Sequence, residues 1–266
     1  MNIKPYWKTD WSEKDLEFPK ADLVDGTDRP IKRSCLSARG DYSDEYVYEG
    51  PYKEAMEDVD GDTLKEKETN LLKKCMQRGH WGIFEHSFVV FGVKRMSRVC
   101  MAQITRHRHL SFDVQSMRYV DFGEAGEEDF YTPPTMKGDQ VKTREGTDVT
   151  SYPEYFGRAV TETMDWSDAY HEEVENSLQL YNTMVDAGVP KEHARMVLPL
   201  GTRVNCTVSM NLRSFFHLLE IRGAGDAQGE INYLTYNMAQ AFASVYPDLA
   251  EIYFEHSFMK PKRLSP

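Results

Sequence analysis

Residues 204–211 alternate without a break, with Val204, Cys206, Val208 and Met210 on one side and Asn205, Thr207 and Ser209 on the other. A two-residue period sends apolar side chains to one face of a pleat and polar ones to the other, so the stretch reads as a strand with one buried face. A second strand is expected over 87–93, which is β-branched and aromatic on both faces. Helical periods stand around these two. Leu64, Leu71, Leu72, Cys75 and Met76 fall mostly on one face of a helix over 63–77, which Gly79 ends. Val99, Cys100 and Ile104 form the buried stripe of a helix over 97–108. Residues 154–186 read as a long helix or a broken pair, closed by Gly188 and Pro190. A short helix is expected over 214–221. Ile231, Leu234, Thr235, Met238, Phe242 and Val245 make a further stripe, with Asp226 as the candidate N-cap. Residues 22–44 alternate loosely and read as a strand and a loop. Strands and helices are mixed without a βαβαβ rhythm, and no internal repeat is visible. The expected class is therefore α+β, a mixed, mainly antiparallel sheet flanked by long helices in a single domain. Residues 1–25 are expected to be an N-terminal extension and 26–260 the folded domain. Residues 121–151, rich in Gly, Glu, Asp, Thr and Pro, read as a mobile insertion.

Composition excludes several classes of function. A chain of 266 residues can bury a sizeable core. Its net charge of -11 argues against broad nucleic-acid or membrane-surface binding, which needs a wide basic face. A nucleotide held in a local arginine pocket remains open. The four cysteines, at 35, 75, 100 and 206, form no Cys-x-x-Cys pair, so neither a zinc knuckle nor a thioredoxin-like centre is indicated. Wide cysteine spacing, a polar start without a signal pattern, and no bilayer-length apolar run together predict a cytoplasmic protein. The sequon Asn205-Cys206-Thr207 is accordingly read as inert.

Against this acidic background, residues 106–119 are an island of positive charge. They hold Arg106, Arg108 and Arg118, His107 and His109, Ser111 and Ser116. Guanidinium forks and hydroxyls are the groups that grip phosphates and flat polar rings. Gln103, Arg106 and His107 are spaced i, i+3 and i+4, so they share a face at the end of the expected helix. Ser116 and Arg118 lie in the loop beyond it. A charged helix end would explain only the first part of the run. A second cluster, Arg78-Gly79-His80-Trp81-Gly82-Ile83-Phe84-Glu85-His86, lacks the His-Glu-x-x-His spacing of a helical zinc site. A third comprises Arg195 before the run Met196-Val197-Leu198-Pro199-Leu200, then Asn211, Arg213, His217 and Arg222. Gly223-Ala224-Gly225 follows a helix rather than a strand, so it is not read as a dinucleotide loop. No Gly-x-Ser-x-Gly elbow and no Walker loop is present, and no cysteine has an activating base beside it. From the residues alone the reading is an anion-binding, nucleotide-handling enzyme without a nucleophilic cysteine. Two alternatives stand beside it. One is a metal-dependent nucleotide hydrolase using His80, Glu85, His86 and His107. The other is a non-enzymatic nucleotide- or RNA-binding module using the arginines.

Arg106-His107-Arg108 followed by Ser116 and Arg118 resembles the signature of the flavin-dependent thymidylate synthases. Arg78-Gly79-His80 with Phe84-Glu85-His86, then Gly188-Val189-Pro190 with Ala194-Arg195 and Leu198-Pro199, then Asn211-x-Arg213-Ser214 through Arg222, resemble the family's other motifs in the same order. The resemblance spans about 34–258. It implies reductive methylation of dUMP to dTMP, with methylenetetrahydrofolate as carbon donor, FAD as cofactor and NADPH as reductant. It implies that Arg222 is catalytic, stabilising charge at N3 of the uracil. Gln103, Arg106, Val114, Gln115, Ser116, Arg118 and Arg195 would hold dUMP, together with Arg222. Ser37, Arg106, His107, Arg108, Asn211, Arg213 and His217 would hold FAD, and His80 would stand near the folate and flavin. No metal is implied. The family's homotetramers, with sites shared between subunits, supply the partner expectation; no nucleic acid and no membrane are expected. Val114, Asp113, Gly82 and Cys35 depart from the family pattern. At Val114 the resemblance carries only a backbone contact.

Overall fold

A computed structural model describes Ile3, Trp7 and residues 18–136 and 166–256. Its strands are β1 (Lys20–Gly26), β2 (Phe88–Ser97), β3 (Leu110–Val114) and β4 (Arg203–Asn211), which form one sheet in the order β1-β2-β4-β3. β1 pairs antiparallel with β2, and β3 with β4. Among the described residues the helices are α1 (Pro30–Gly40), α2 (Tyr52–Ala55), α3 (Leu64–Gln77), α4 (Arg98–Ile104), α5 (Trp166–Asp186), α6 (Lys191–Ala194), α7 (Leu212–Arg222), α8 (Gly229–Val245) and α9 (Pro247–His256), with short 3-10 turns such as Trp81–Phe84. The class is α+β, as the sequence periods imply. The chain divides into two compact units. One contains the described residues within 1–94, 100–114 and 205–256, the other those within 95–99 and 115–204. No helix among the described residues is long and apolar enough to cross a membrane.

The alternating stretch is β4, with Val204, Cys206, Val208 and Met210 buried and Asn205 and Thr207 exposed. Its partner β3, not expected from the sequence, stands between the arginine motif and the loop that holds Ser116 and Arg118. Leu110 pairs with Met210 and Val114 with Cys206. Leu110, Phe112 and Val114 alternate with exposed Ser111 and Asp113, a strand period that the charged neighbours conceal. Over 22–44, read as a strand and a loop, β1 supplies the strand and α1 a helix in place of the loop. Pro30 occupies the first turn, where its missing N–H costs nothing, and Ser34, Cys35, Leu36 and Ala38 are buried. α8 is capped by Gln228 and not Asp226, since the Gln228 side chain accepts from the Ile231 N–H at 3.3 Å.

α3 shows why local sequence fixes its ends. Thr63 accepts from the Glu66 N–H at 3.2 Å and Glu66 accepts from the Thr63 N–H at 3.1 Å, which closes a capping box. At the other end Gly79 takes φ +77. The His80 N–H donates to the Cys75 carbonyl at 2.9 Å and the Gly79 N–H to Met76 at 3.1 Å, a Schellman closure. The core of the first unit is an aromatic stack centred on Phe216. Its ring lies 4.0 Å from Tyr253 and 5.4 Å from Phe84, and the Tyr253 hydroxyl donates to the Phe216 carbonyl at 3.0 Å. The described positions near the N-terminus join this unit: Trp7 is buried, and Phe18 stacks on Tyr233 at 4.5 Å.

In the second unit, Lys191 pairs with Asp121 at 2.6 Å, and the Asn182 amide donates to the Gly123 carbonyl at 3.1 Å. The Tyr131 N–H donates to the Gly201 carbonyl at 2.9 Å. These bonds hold 121–136 of the segment read as a mobile insertion; 137–151, and the first part of the long helix read over 154–186, lie outside the described residues.

Candidate active site

The arginine motif occupies the corner between α4 and β3. The regular part of α4 stops at Ile104 and the chain tightens, with the Arg106 N–H on the Gln103 carbonyl at 3.3 Å and the His107 N–H on Ile104 at 3.1 Å. His109 then takes φ +64, a left-handed conformation that a residue with a side chain adopts at some cost, and β3 begins at the next residue. Because β3 pairs with β4, this corner lies beside the end of β4, where α7 begins.

α7 supplies the opposite wall. Asn211 ends β4 and caps α7, its side chain accepting from the Ser214 N–H at 2.8 Å. The Leu212 N–H donates to the Ser87 carbonyl at 2.8 Å, which pins the helix start beside the Trp81–Phe84 turn. Leu212, Phe215, Phe216, Leu218 and Leu219 are buried, while Arg213 and His217, four apart, stand on the exposed stripe. Between the stripe, the corner and the turn lies a cavity of about 770 Å³. Trp81, Glu85, Arg106, His107, Arg108, His109, Leu110, Asn211, Arg213, Ser214, Phe216, His217, Glu220, Ile221 and Arg222 line it. Its size lies in the range of sites that enclose small molecules and cofactors, roughly 300–1,000 Å³.

Electrostatics single out one pair in it. Arg222 Nε donates to His107 Nε2 at 2.9 Å, and its Nη2 donates to the Gln103 carbonyl at 3.1 Å. A nitrogen that accepts from a guanidinium carries no proton, so His107 is neutral with its proton on Nδ1. Burial, then the Arg222 charge, then His217 push the His107 pKa down to about 4, in agreement with that geometry. The His217 ring stands edge-on at 6.1 Å. Two anchors on one guanidinium fix its plane and leave its other N–H groups available. The side chains of Arg106 and Arg108 make no hydrogen bond or ion pair among the described residues, whereas Arg213 pairs with Glu85.

The second unit gathers another group. Arg118 pairs with Glu192 at 2.6 Å, Arg195 Nε donates to the Glu192 carbonyl at 3.1 Å, and Ser116 Oγ accepts from the Arg118 N–H at 3.3 Å. Burial, and after it the Arg195 charge, lowers the pKa of Arg98. Three of the expected nucleotide-binding residues are therefore neighbours, and Glu192 and Arg98 join them without having been singled out in the sequence.

Of the residues expected to hold flavin, Arg106, His107, Arg108, Asn211, Arg213 and His217 line this cavity with Arg222. Gln103 reaches it through its carbonyl, while its side-chain amide donates to Gln228 at 3.2 Å. Ser37, half-buried on α1, and His80, exposed beyond α3, do not line it. Val114 ends β3, and half-buried Gln115 follows it. Sequence reasoning missed Trp81 and Phe216 as walls; the helical period that selects Arg213 and His217 would also have placed Glu220 nearby. Among the described residues, His80, Glu85, His86 and His107 form no group of three or more metal-ligating side chains, and Glu85 pairs with Arg213. Burial raises every thiol, Cys35 to about 12, Cys206 to about 11, Cys75 less far and Cys100 well above its ordinary value. A thiolate nucleophile therefore has no candidate.

Residues 22–248 match the family described as thymidylate synthase complementing protein. The chain is 38% identical over 252 residues to the flavin-dependent thymidylate synthase of Haloarcula marismortui, covering 92% of this chain and 98% of that one. It is 40% identical, with the same coverage, to that of Halobacterium salinarum. A solved structure with TM-score 0.66 and 22% identity is the UMP/dUMP methylase PolB of Streptomyces cacaoi bound with 5-Br dUMP, covering 90% of this chain and 96% of that one. At that identity the likeness is one of fold. With the matched residues spanning the sheet and both arginine groups, the chain belongs to the flavin-dependent thymidylate synthase family.

Proposed function

We propose that the protein converts dUMP to dTMP by reductive methylation, taking the carbon from methylenetetrahydrofolate and the reducing equivalents from NADPH, with FAD in the cavity beside α7. The observation that carries this reading is the convergence of Arg106, His107, Arg108, Asn211, Arg213 and His217 with Arg222 around one cavity. The names of the relatives and of the UMP/dUMP methylase with the same fold support it.

The residues present suit FAD. Arg106 and Arg108, whose guanidinium groups have no partner among the described residues, match a diphosphate, and Trp81, Phe216 and His217 offer flat surfaces for a planar ring system. When bound, the flavin supplies hydride transfer, which no side chain of this protein provides. Ser37 would add a contact to FAD, and His80 would stand towards the folate. For dUMP, the second unit offers Arg118 and Arg195 as cations for a phosphate, with Ser116 and the backbone of Gln115, and the first offers Gln103, Arg106 and the backbone of Val114. Arg222 works on the pyrimidine. Its guanidinium is fixed by neutral His107 and the Gln103 carbonyl before substrate arrives, so charge developing at uracil N3 meets a donor that needs no reorganisation. Protonated thiols throughout agree with chemistry that forms no cysteine adduct. The enzyme acts in the cytoplasm as a homotetramer with sites shared between subunits.

Arg222→Ala tests the assignment. The variant should retain its flavin absorbance and lose turnover by about 10²–10³-fold, the scale of removing one preorganised charge-stabilising donor. Unchanged dTMP formation removes Arg222 from the chemistry.

A further inference from the structure

The last carbonyls of a helix have no partner within it. At the end of α7 one side chain takes two carbonyls beyond the last full turn: Asn232 Nδ2 donates to the Arg222 carbonyl at 3.0 Å and to the Ala224 carbonyl at 3.0 Å. Asn232 lies on α8 and is 3% exposed. Its Oδ1 accepts from the indole Nε1 of Trp7 at 3.0 Å. An indole nitrogen can only donate, so Trp7 dictates which end of the amide faces it and thereby turns the two amide protons towards α7. The indole also packs on the chain itself: a Cβ placed on Gly223, the residue after Arg222, would come within 2.8 Å of its ring. Trp7 is 6% exposed and stands edge-on to Tyr236 at 5.6 Å. Arg222 is thus held at both ends, its guanidinium by His107 and Gln103 and its backbone by Asn232.

We propose that Trp7, acting through Asn232, is a positioning residue for Arg222: the indole N–H orients the amide that clamps the end of α7 and so sets where the guanidinium presents its remaining donors to the bound nucleotide. This rests on the reading that Arg222 touches dUMP. Trp7 comes from a segment remote from every motif of the site, yet three hydrogen bonds and one close backbone contact connect it to the residue of greatest chemical interest. All the groups involved lie within the first compact unit.

Trp7→Phe keeps a ring and removes the N–H. Asn232→Asp keeps the acceptor for Trp7 and turns a carboxylate towards two carbonyls. Calorimetric titration with dUMP should show Trp7→Phe weakening binding about fivefold to tenfold, as loss of one buried hydrogen bond implies. Asn232→Asp should weaken it at least as much, and should carry the test alone if Trp7→Phe does not fold. The ratio of flavin to protein should stay at the wild-type value in both, and the turnover number should fall with the affinity. The discriminating arm is the double variant with Arg222→Ala. There Trp7→Phe should cause no further loss of dUMP affinity, because the residue it positions is gone. A merely structural role predicts the same loss in both backgrounds and overturns the proposal. If Arg222→Ala weakens binding and turnover while Trp7→Phe and Asn232→Asp change neither, the proposal alone falls. If Arg222→Ala itself changes neither, the reading of Arg222 falls and takes the proposal with it.

Discussion

Two groups that both carry a proton on the shared atom cannot hydrogen-bond, and the contact between Arg222 Nε and His107 Nε2 is therefore a statement about charge. Arginine keeps its proton, so the histidine gives up its own. The consequence for pH has a definite sign. In the unfolded chain His107 takes a proton near its ordinary 6.5, and in the folded chain only near about 4. Between those values the unfolded state binds more protons, so stability is full above the upper value, falls as the pH falls through the window, and stops falling below the lower one. His107→Asn offers Arg222 an acceptor that does not titrate. The melting temperature of the wild type should fall relative to this variant between pH 6.5 and 4, and a constant difference across that window contradicts the neutral assignment. The residue types of the site were legible in the sequence, because Arg106-His107-Arg108 and Arg213, His217 and Arg222 were visible as anion-binding groups. Their pairings were not. The partners in the His107–Arg222 contact are 115 residues apart and those in Glu85–Arg213 are 128 apart, and no local period carries information over such distances.

Elements aim these side chains, and α7 aims most of them. Its N-cap, Asn211, caps the helix and is proposed to contact flavin as well, and substitutions separate the two tasks. Asn211→Ala should lower stability by about 1 kcal/mol in a denaturant melt, the usual cost of losing a cap. Asn211→Ser retains a capping oxygen and should keep most of the stability while losing the side-chain amide. Weaker flavin retention in Asn211→Ser than in the wild type, at near-normal stability, identifies the cofactor contact; wild-type retention assigns Asn211 to capping alone. Phe216 joins wall and core, being 1% exposed, stacked on Tyr253 and part of the cavity lining. Phe216→Ala should cost about 3–5 kcal/mol, measured in the same way. Elements with a clean period were legible: β4 by alternation, α3 by its apolar face and Gly79, α8 by its apolar stripe. β3 was hidden by its five-residue length and by the charged motif before it. α1 was hidden because its buried positions include Ser34, Cys35 and Ala38, which carry little hydrophobic signal.

The whole molecule sets an acidic field around a local basic site. A net charge of -11 makes the chain repel itself, whereas the arginine groups attract anions. Salt screens both, with opposite outcomes. Raising ionic strength should increase the melting temperature and weaken dUMP binding in calorimetric titration; binding that is indifferent to salt removes the arginine clusters from phosphate recognition. The sequence revealed the α+β class and the family's motifs, because periods and motif order survive in one dimension. It did not reveal that those motifs gather into two groups, one around the cavity at α7 and one around Glu192, since each group is assembled from segments far apart in the chain. The central claim is tested most directly by incubating the purified protein with dUMP, methylenetetrahydrofolate and NADPH and following NADPH oxidation and dTMP together, omitting one component at a time. The account predicts a flavin-coloured protein that forms dTMP only with all three. A colourless protein that neither binds FAD nor forms dTMP contradicts it.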